Sequence, residues 1–144
     1  ETLLALAAHP NIQAIKDCGG DAGKTQALIT DGRLQVLAGQ DAHIFTTLAL
    51  GGAGAISASA HVCTAQFVEV MQFLKDGKLQ QARALWQPLL PVVHAAFGEP
   101  NPAVIKAALA QQGLIQDGLR LPMVSASAGA TEGLLADKDR VARE

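Results

Sequence analysis

Three short apolar runs, each followed by a helix signal, restrict the fold class more than any other feature of this chain. The first run, within "NIQAIKD", covers about Ile12 to Lys16 and precedes a helix pattern from about Asp21 to Thr30. The second, "RLQVLAG", covers about Leu34 to Ala38. Its helix is expected to start at Asp41, a residue suited to capping, and carries Ile44, Phe45 and Leu48 at helical spacing. "LGGAG" then ends that helix and turns into a third run, "AISAS", around Ala55 to Ser57. Strands alternating with helices in this way pair in parallel through right-handed crossovers. The expectation is an α/β fold whose strands are packed on both faces.

After Val62 the pattern changes to helices alone. "TAQFVEVMQFLKDG" places Phe67, Val70, Met71 and Leu74 on one face and stops at Gly77. The next segment repeats the period through Leu79, Ala82, Leu85, Leu89, Val93 and Phe97, with Pro88 and Pro91 expected to kink it. "NPAVIKAALAQQG" reads as a helix capped by Asn101, with Pro102 in its first turn and Gly113 at its close. A last helix is expected near Thr131 to Arg140. The chain opens at Glu1 inside a helical pattern and without methionine, as a piece of a longer polypeptide would.

Composition mainly excludes. A net charge of −2 over 144 residues leaves no basic footprint for nucleic acid. Cys18 and Cys63 belong to no CxxC or Cys/His cluster, so reduced thiols in a cytoplasmic protein are expected. The four histidines are scattered with no HxxxH pair, and no metal or other cofactor is expected. The stretch from Ala42 to Val68 has no charged residue and is long enough to span a bilayer. Its glycines, histidines, serines and threonines instead fit a buried helix, turn and strand, and no membrane partner is expected.

Two glycine-rich segments and one lysine are the candidate sites. "GGDAGKT" resembles a phosphate loop, but only three residues separate Gly19 from Gly23, where that loop needs four before its Gly-Lys-Thr. The ring of backbone amides would lose a member, so the plain reading is a loop with a helix beginning near Asp21. "GGAGAIS" reads as a helix cap and a turn into a strand. Lys16 is a cation at the end of an apolar strand. A lysine there is commonly a solvated end residue. In α/β folds, however, functional side chains gather at the carboxyl ends of the strands. A desolvated amine there loses its proton more easily and becomes a nucleophile toward carbonyls, as Schiff-base chemistry requires.

"NIQAIKD", "LAGQDAHIFTTLALGGAGAIS", "GEPNPAVIKAAL" and "LRLPM" together resemble the C-terminal half of the dihydrodipicolinate synthase family. That family lies within the N-acetylneuraminate lyase superfamily of class I aldolases, and the resemblance runs over residues 1 to about 125. It implies the last three βα units of a (β/α)8 TIM barrel in residues 1–62, followed by a C-terminal helical region in residues 63–144. Lys16 matches the family's imine-forming lysine. Gly39 matches a glycine beside the bound ketoacid, and Ile56 the residue whose backbone contacts the pyruvate carboxylate. The activity implied is a lyase of lysine and diaminopimelate biosynthesis that condenses pyruvate with aspartate semialdehyde. A homotetramer, as a dimer of dimers, is implied for the intact enzyme.

This chain departs from the family pattern at several points. Asp17 follows the lysine where the family often has Glu, and His61 replaces an asparagine. The chain contains no tyrosine, although the family's proton relay uses one from an earlier strand. Two other readings stay open. One is a different pyruvate aldolase of the superfamily, of the N-acetylneuraminate lyase or 2-keto-3-deoxy sugar-acid type. The other is a non-catalytic helical module kept for oligomer contacts.

Overall fold

The computed structural model describes residues 1–143 as two compact units, Glu1–Ser57 and Ala58–Glu144. The first unit contains helix α1 (Thr2–Leu6), strand β1 (Ala14–Asp17), α2 (Ala22–Asp31), β2 (Gln35–Ala38), α3 (Ile44–Ala49) and β3 (Gly54–Ala55). The strands form one parallel sheet in the order β1-β2-β3. Lys16 is in register with Leu37, and Leu37 with Gly54; Asp17, Ala38 and Ala55 form the next row. The βα alternation in the sequence thus becomes a parallel sheet through the expected crossovers.

Both faces of this sheet were expected to be packed, and only one is. Successive side chains of a strand point to opposite faces, so Ile15, Val36 and Ala38 share the face opposite Lys16 and Leu37. Val36 and Ala38 are buried where α2 and α3 pack on β2. On the other face Leu37 is half-buried and Lys16 is exposed. The physical reason is strand number. Three strands cannot curl far enough to bury their second face on themselves.

Local signals account for most helix ends. Asp21 caps α2 by accepting from the Lys24 amide at 3.0 Å, and Gly32 ends it in the left-handed conformation at φ 75°. Asp41 does not cap α3 as expected. It opens a short 3₁₀ turn (Asp41–His43), is only 3% exposed, and accepts from Ser57 Oγ at 2.8 Å. A buried carboxylate gains more from a partner inside the fold than from an exposed helix start.

The second unit holds α4 (Thr64–Lys75), α5 (Leu79–Ala96), α6 (Ala103–Gln111) and α7 (Ala128–Val141). Its core joins Phe67 and Val70 of α4, Leu89, Val92 and Val93 of α5, Val104 and Ala108 of α6 and Leu134 of α7. Phe67 and Trp86 meet edge to face at 6.0 Å between ring centres. The α5 stripe differs from the periodic reading at both ends. Leu79 and Phe97 are exposed, while Trp86, Val92 and Ala96 are buried. Helix α5 is continuous with both prolines inside it. Pro102, not Asn101, occupies the cap position of α6. Helix α7 starts three residues earlier than expected because Ser127 caps it, accepting from Ala130 N at 3.2 Å. The Glu99 carboxylate in turn accepts from Ser127 Oγ and N, and these bonds hold its pKa below the usual carboxylate range. Among the described residues, no helix is long and apolar enough to cross a membrane.

Candidate active site

The three residues singled out from the sequence lie at the carboxyl edge of one sheet. Lys16 is the third residue of β1, Gly39 directly follows β2, and Ile56 directly follows β3. Parallel pairing puts these ends side by side, which is where α/β folds place their chemistry. The Gly39 amide donates to the Asp17 carbonyl at 2.9 Å, and the Ile56 amide donates to the Ala38 carbonyl at 2.9 Å. The backbone ladder therefore continues one step past each strand and ties all three positions together.

Cys18 and Lys16 together leave no room for a Cβ at residue 39. A Cβ built at residue 39 would lie 2.7 Å from Lys16 Cγ and 2.9 Å from Lys16 Cε, and closer still to Cys18 Sγ. Both separations are well inside ordinary carbon contact. The lysine stem thus passes directly over the end of β2. Ile56 has its amide engaged by the ladder, so any substrate contact falls to the rest of its backbone and to its half-exposed side chain.

A strand packed on both sides would bury Lys16, yet the lysine is exposed. Among the described residues, strand β1 pairs only with β2, and no second layer of strands lies over the face that carries the lysine.

Directly beneath the lysine, on the covered face, sits a polar cluster that was not legible as such in the sequence. The Asp17 carboxylate accepts from Lys24 Nζ at 2.6 Å, Thr25 Oγ1 at 2.5 Å and the Gly19 amide at 3.0 Å. Its side chain is 5% exposed and that of Lys24 33%. Burial pushes the Asp17 carboxyl up. The bonds from Lys24, Thr25 and Gly19, with the Lys24 charge, outweigh that, and its pKa lies below the ordinary 3.8. The Gly-Lys-Thr that resembled a phosphate loop therefore serves this carboxylate.

The direction of that shift sets a pH dependence. A carboxyl whose folded pKa is depressed stabilises the fold fully above its unfolded value, and that contribution is lost as pH falls toward the lower folded value. Asp17→Asn is expected to cost about 2 kcal/mol near neutral pH, the scale of hydrogen bonds to a charged group. Its stability should also fall less steeply below about pH 4. Urea unfolding of both forms across the acid range checks this; parallel acid limbs would contradict it.

Comparison with known proteins comes to the same family as the motifs. The model of the dihydrodipicolinate synthetase family matches residues 1–137. The 4-hydroxy-tetrahydrodipicolinate synthase 2 of Clostridium acetobutylicum is 37% identical over 137 residues, covering 93% of this chain and 48% of that protein. Among solved structures, the chloride-inhibited dihydrodipicolinate synthase of Acinetobacter baumannii, complexed with pyruvate, superposes with a TM-score of 0.90 at 32% identity. That match covers 98% of this chain and 49% of that one. A monomeric dihydrodipicolinate synthase variant superposes at 0.92 with 31% identity, again over 98% and 49%. The chain thus spans about half the length of the relatives it matches. With the family model matching nearly its whole length, the chain belongs to the dihydrodipicolinate synthetase family.

Proposed function

We propose that this chain supplies the last three βα units of a (β/α)8 barrel, in residues 1–62, and its C-terminal helical region, in residues 63–144. The whole enzyme would be a lyase that condenses pyruvate with aspartate semialdehyde. The observation that carries this reading is the Lys16 stem, lying over Gly39 at the carboxyl edge of a parallel sheet whose lysine face is uncovered. Five further strands would close that face into a barrel interior and desolvate the amine.

In the closed site Lys16 Nζ attacks the ketone carbon of pyruvate, and water leaves as the imine forms. The protonated imine draws electrons from the methyl group, which gives up a proton to become an enamine. The enamine carbon then bonds to the aldehyde carbon, and the aldehyde oxygen takes up a proton. Cleavage of the imine by water or an amine frees Lys16. The resemblance assigns Ile56 to the carboxylate end of pyruvate and Gly39 to its flank.

The relatives' names favour aspartate semialdehyde over the sugar aldehydes that other aldolases of the superfamily take as acceptors. An acceptor panel tests the choice. The full-length polypeptide that carries this chain should consume pyruvate with aspartate semialdehyde and not with N-acetylmannosamine or sugar aldehydes. Preference for a sugar aldehyde would move the assignment to the other aldolases. The cytoplasmic setting and the dimer-of-dimers assembly follow from the same family reading, and sedimentation of the full-length polypeptide decides the assembly.

Gly39→Ala is expected to slow borohydride trapping of pyruvate in the full-length polypeptide by about 10- to 100-fold. The added methyl must displace Cys18 Sγ and the Lys16 stem, and a misplacement of about 1 Å in the lysine is worth up to that factor. Trapping at the wild-type rate would mean that the Lys16 path seen here is not the reactive one.

A further inference from the structure

Asp17, Lys24 and Thr25 lie next to the proposed imine lysine, and the chemistry above uses none of them. In a phosphate loop the lysine amine and the threonine hydroxyl would face a nucleotide. Here both reach one carboxylate, and the Thr25 hydroxyl also lies 3.0 Å from the Asp21 carbonyl of its own helix. Asp17 Oδ1 accepts from Lys24 Nζ and the Gly19 amide, and Oδ2 accepts from Thr25 Oγ1. The glycine pair belongs to the same arrangement. A Cβ at Gly19 would run into Lys24 Nζ and lie 3.2 Å from Asp17 Oδ1, while Gly20 has φ 66°, a conformation that favours glycine. The Asp17 carbonyl is held as well, accepting from the Gly39 amide at 2.9 Å. Residue 17 is therefore fixed through its side chain to α2 and through its backbone to the residue that gives Lys16 its path.

We propose that Asp17, Lys24 and Thr25 form a positioning clamp that fixes the end of β1 and thereby aims the Lys16 amine. Lys16 and Asp17 are consecutive, with side chains on opposite faces, so a rotation of the peptide between them swings the long lysine stem across the site. Three bonds on the covered face prevent that rotation. None of the three residues is required to touch substrate.

The proposal rests on the imine reading, and its test separates the two. In the full-length polypeptide, the rate of pyruvate adduct formation at Lys16 under borohydride is measured per folded molecule. Thr25→Val keeps the side-chain shape and removes the hydroxyl, and Lys24→Met removes the ammonium. Each is expected to slow the adduct by about 10- to 100-fold and to lower kcat, with KM for the aldehyde unchanged. Thr25→Ser and Lys24→Arg keep the donors and should stay near the wild-type rate. A purely structural role would lower the unfolding midpoint and leave the rate of the folded fraction alone. If Lys24→Met does not fold, Thr25→Val carries the test. Wild-type rates in Thr25→Val would overturn the clamp, and so would equal slowing in Thr25→Ser. No adduct at Lys16 in the wild type would remove the imine reading, and the clamp with it.

Discussion

Lys16→Ala in the full-length polypeptide is expected to reduce kcat by about 10⁴-fold or more, the scale seen when a covalent nucleophile is removed. Two other lysines have their amines engaged elsewhere. Lys24 is paired with Asp17 at 2.6 Å. Lys106 lies in α6 of the helical unit, where its amine donates to the Gly118 carbonyl. What remains in the variant should be binding and positioning alone, so pyruvate is still held but not activated. Pyruvate turnover measured with excess enzyme checks the size of the loss. A fall of only a few-fold would mean that the lysine serves binding and that the carbon–carbon bond forms without an imine.

The second large effect concerns the 144-residue chain by itself, which is expected to show no synthase turnover. Its sheet has three strands in the order β1-β2-β3, so β1 and β3 each keep an edge without a partner strand among the described residues. Such edges pair readily with other chains. The lysine face is uncovered, which leaves the amine exposed to water. The sequence also contains no tyrosine, the residue that the family resemblance implies for the proton relay. Association is expected instead, with a second copy or with a polypeptide carrying the preceding strands. Size-exclusion chromatography coupled to a turnover assay decides it. An active monomer would contradict the expectation. Activity that appears only on adding the N-terminal half would support it.

The parts of this architecture legible in the sequence are the local ones. The βα period placed all three strands within about two residues, because hydrophobic runs bounded by glycine and capping residues report local backbone preference. Lys16 stands out as a candidate because strand ends collect chemistry, and Gly39 and Ile56 are candidates through the family resemblance alone. Interactions between distant positions were not legible. Nothing near Asp41 indicates that its carboxylate is bonded by Ser57, sixteen residues later. Lys24 and Thr25 sat in a motif that suggested phosphate, while their acceptor lay seven and eight residues upstream on a strand. The exposure of Lys16 was illegible for a further reason. Whether a strand face is covered depends on how many strands close over it, and a local window carries no such count.

The imine assignment to Lys16 is decided by incubating the full-length polypeptide with pyruvate, reducing with borohydride and mapping the modified peptide. One pyruvate-dependent adduct is expected, on the peptide containing Lys16 and absent from Lys16→Ala. An adduct on Lys24 or Lys106, or none while the enzyme turns over, would contradict it.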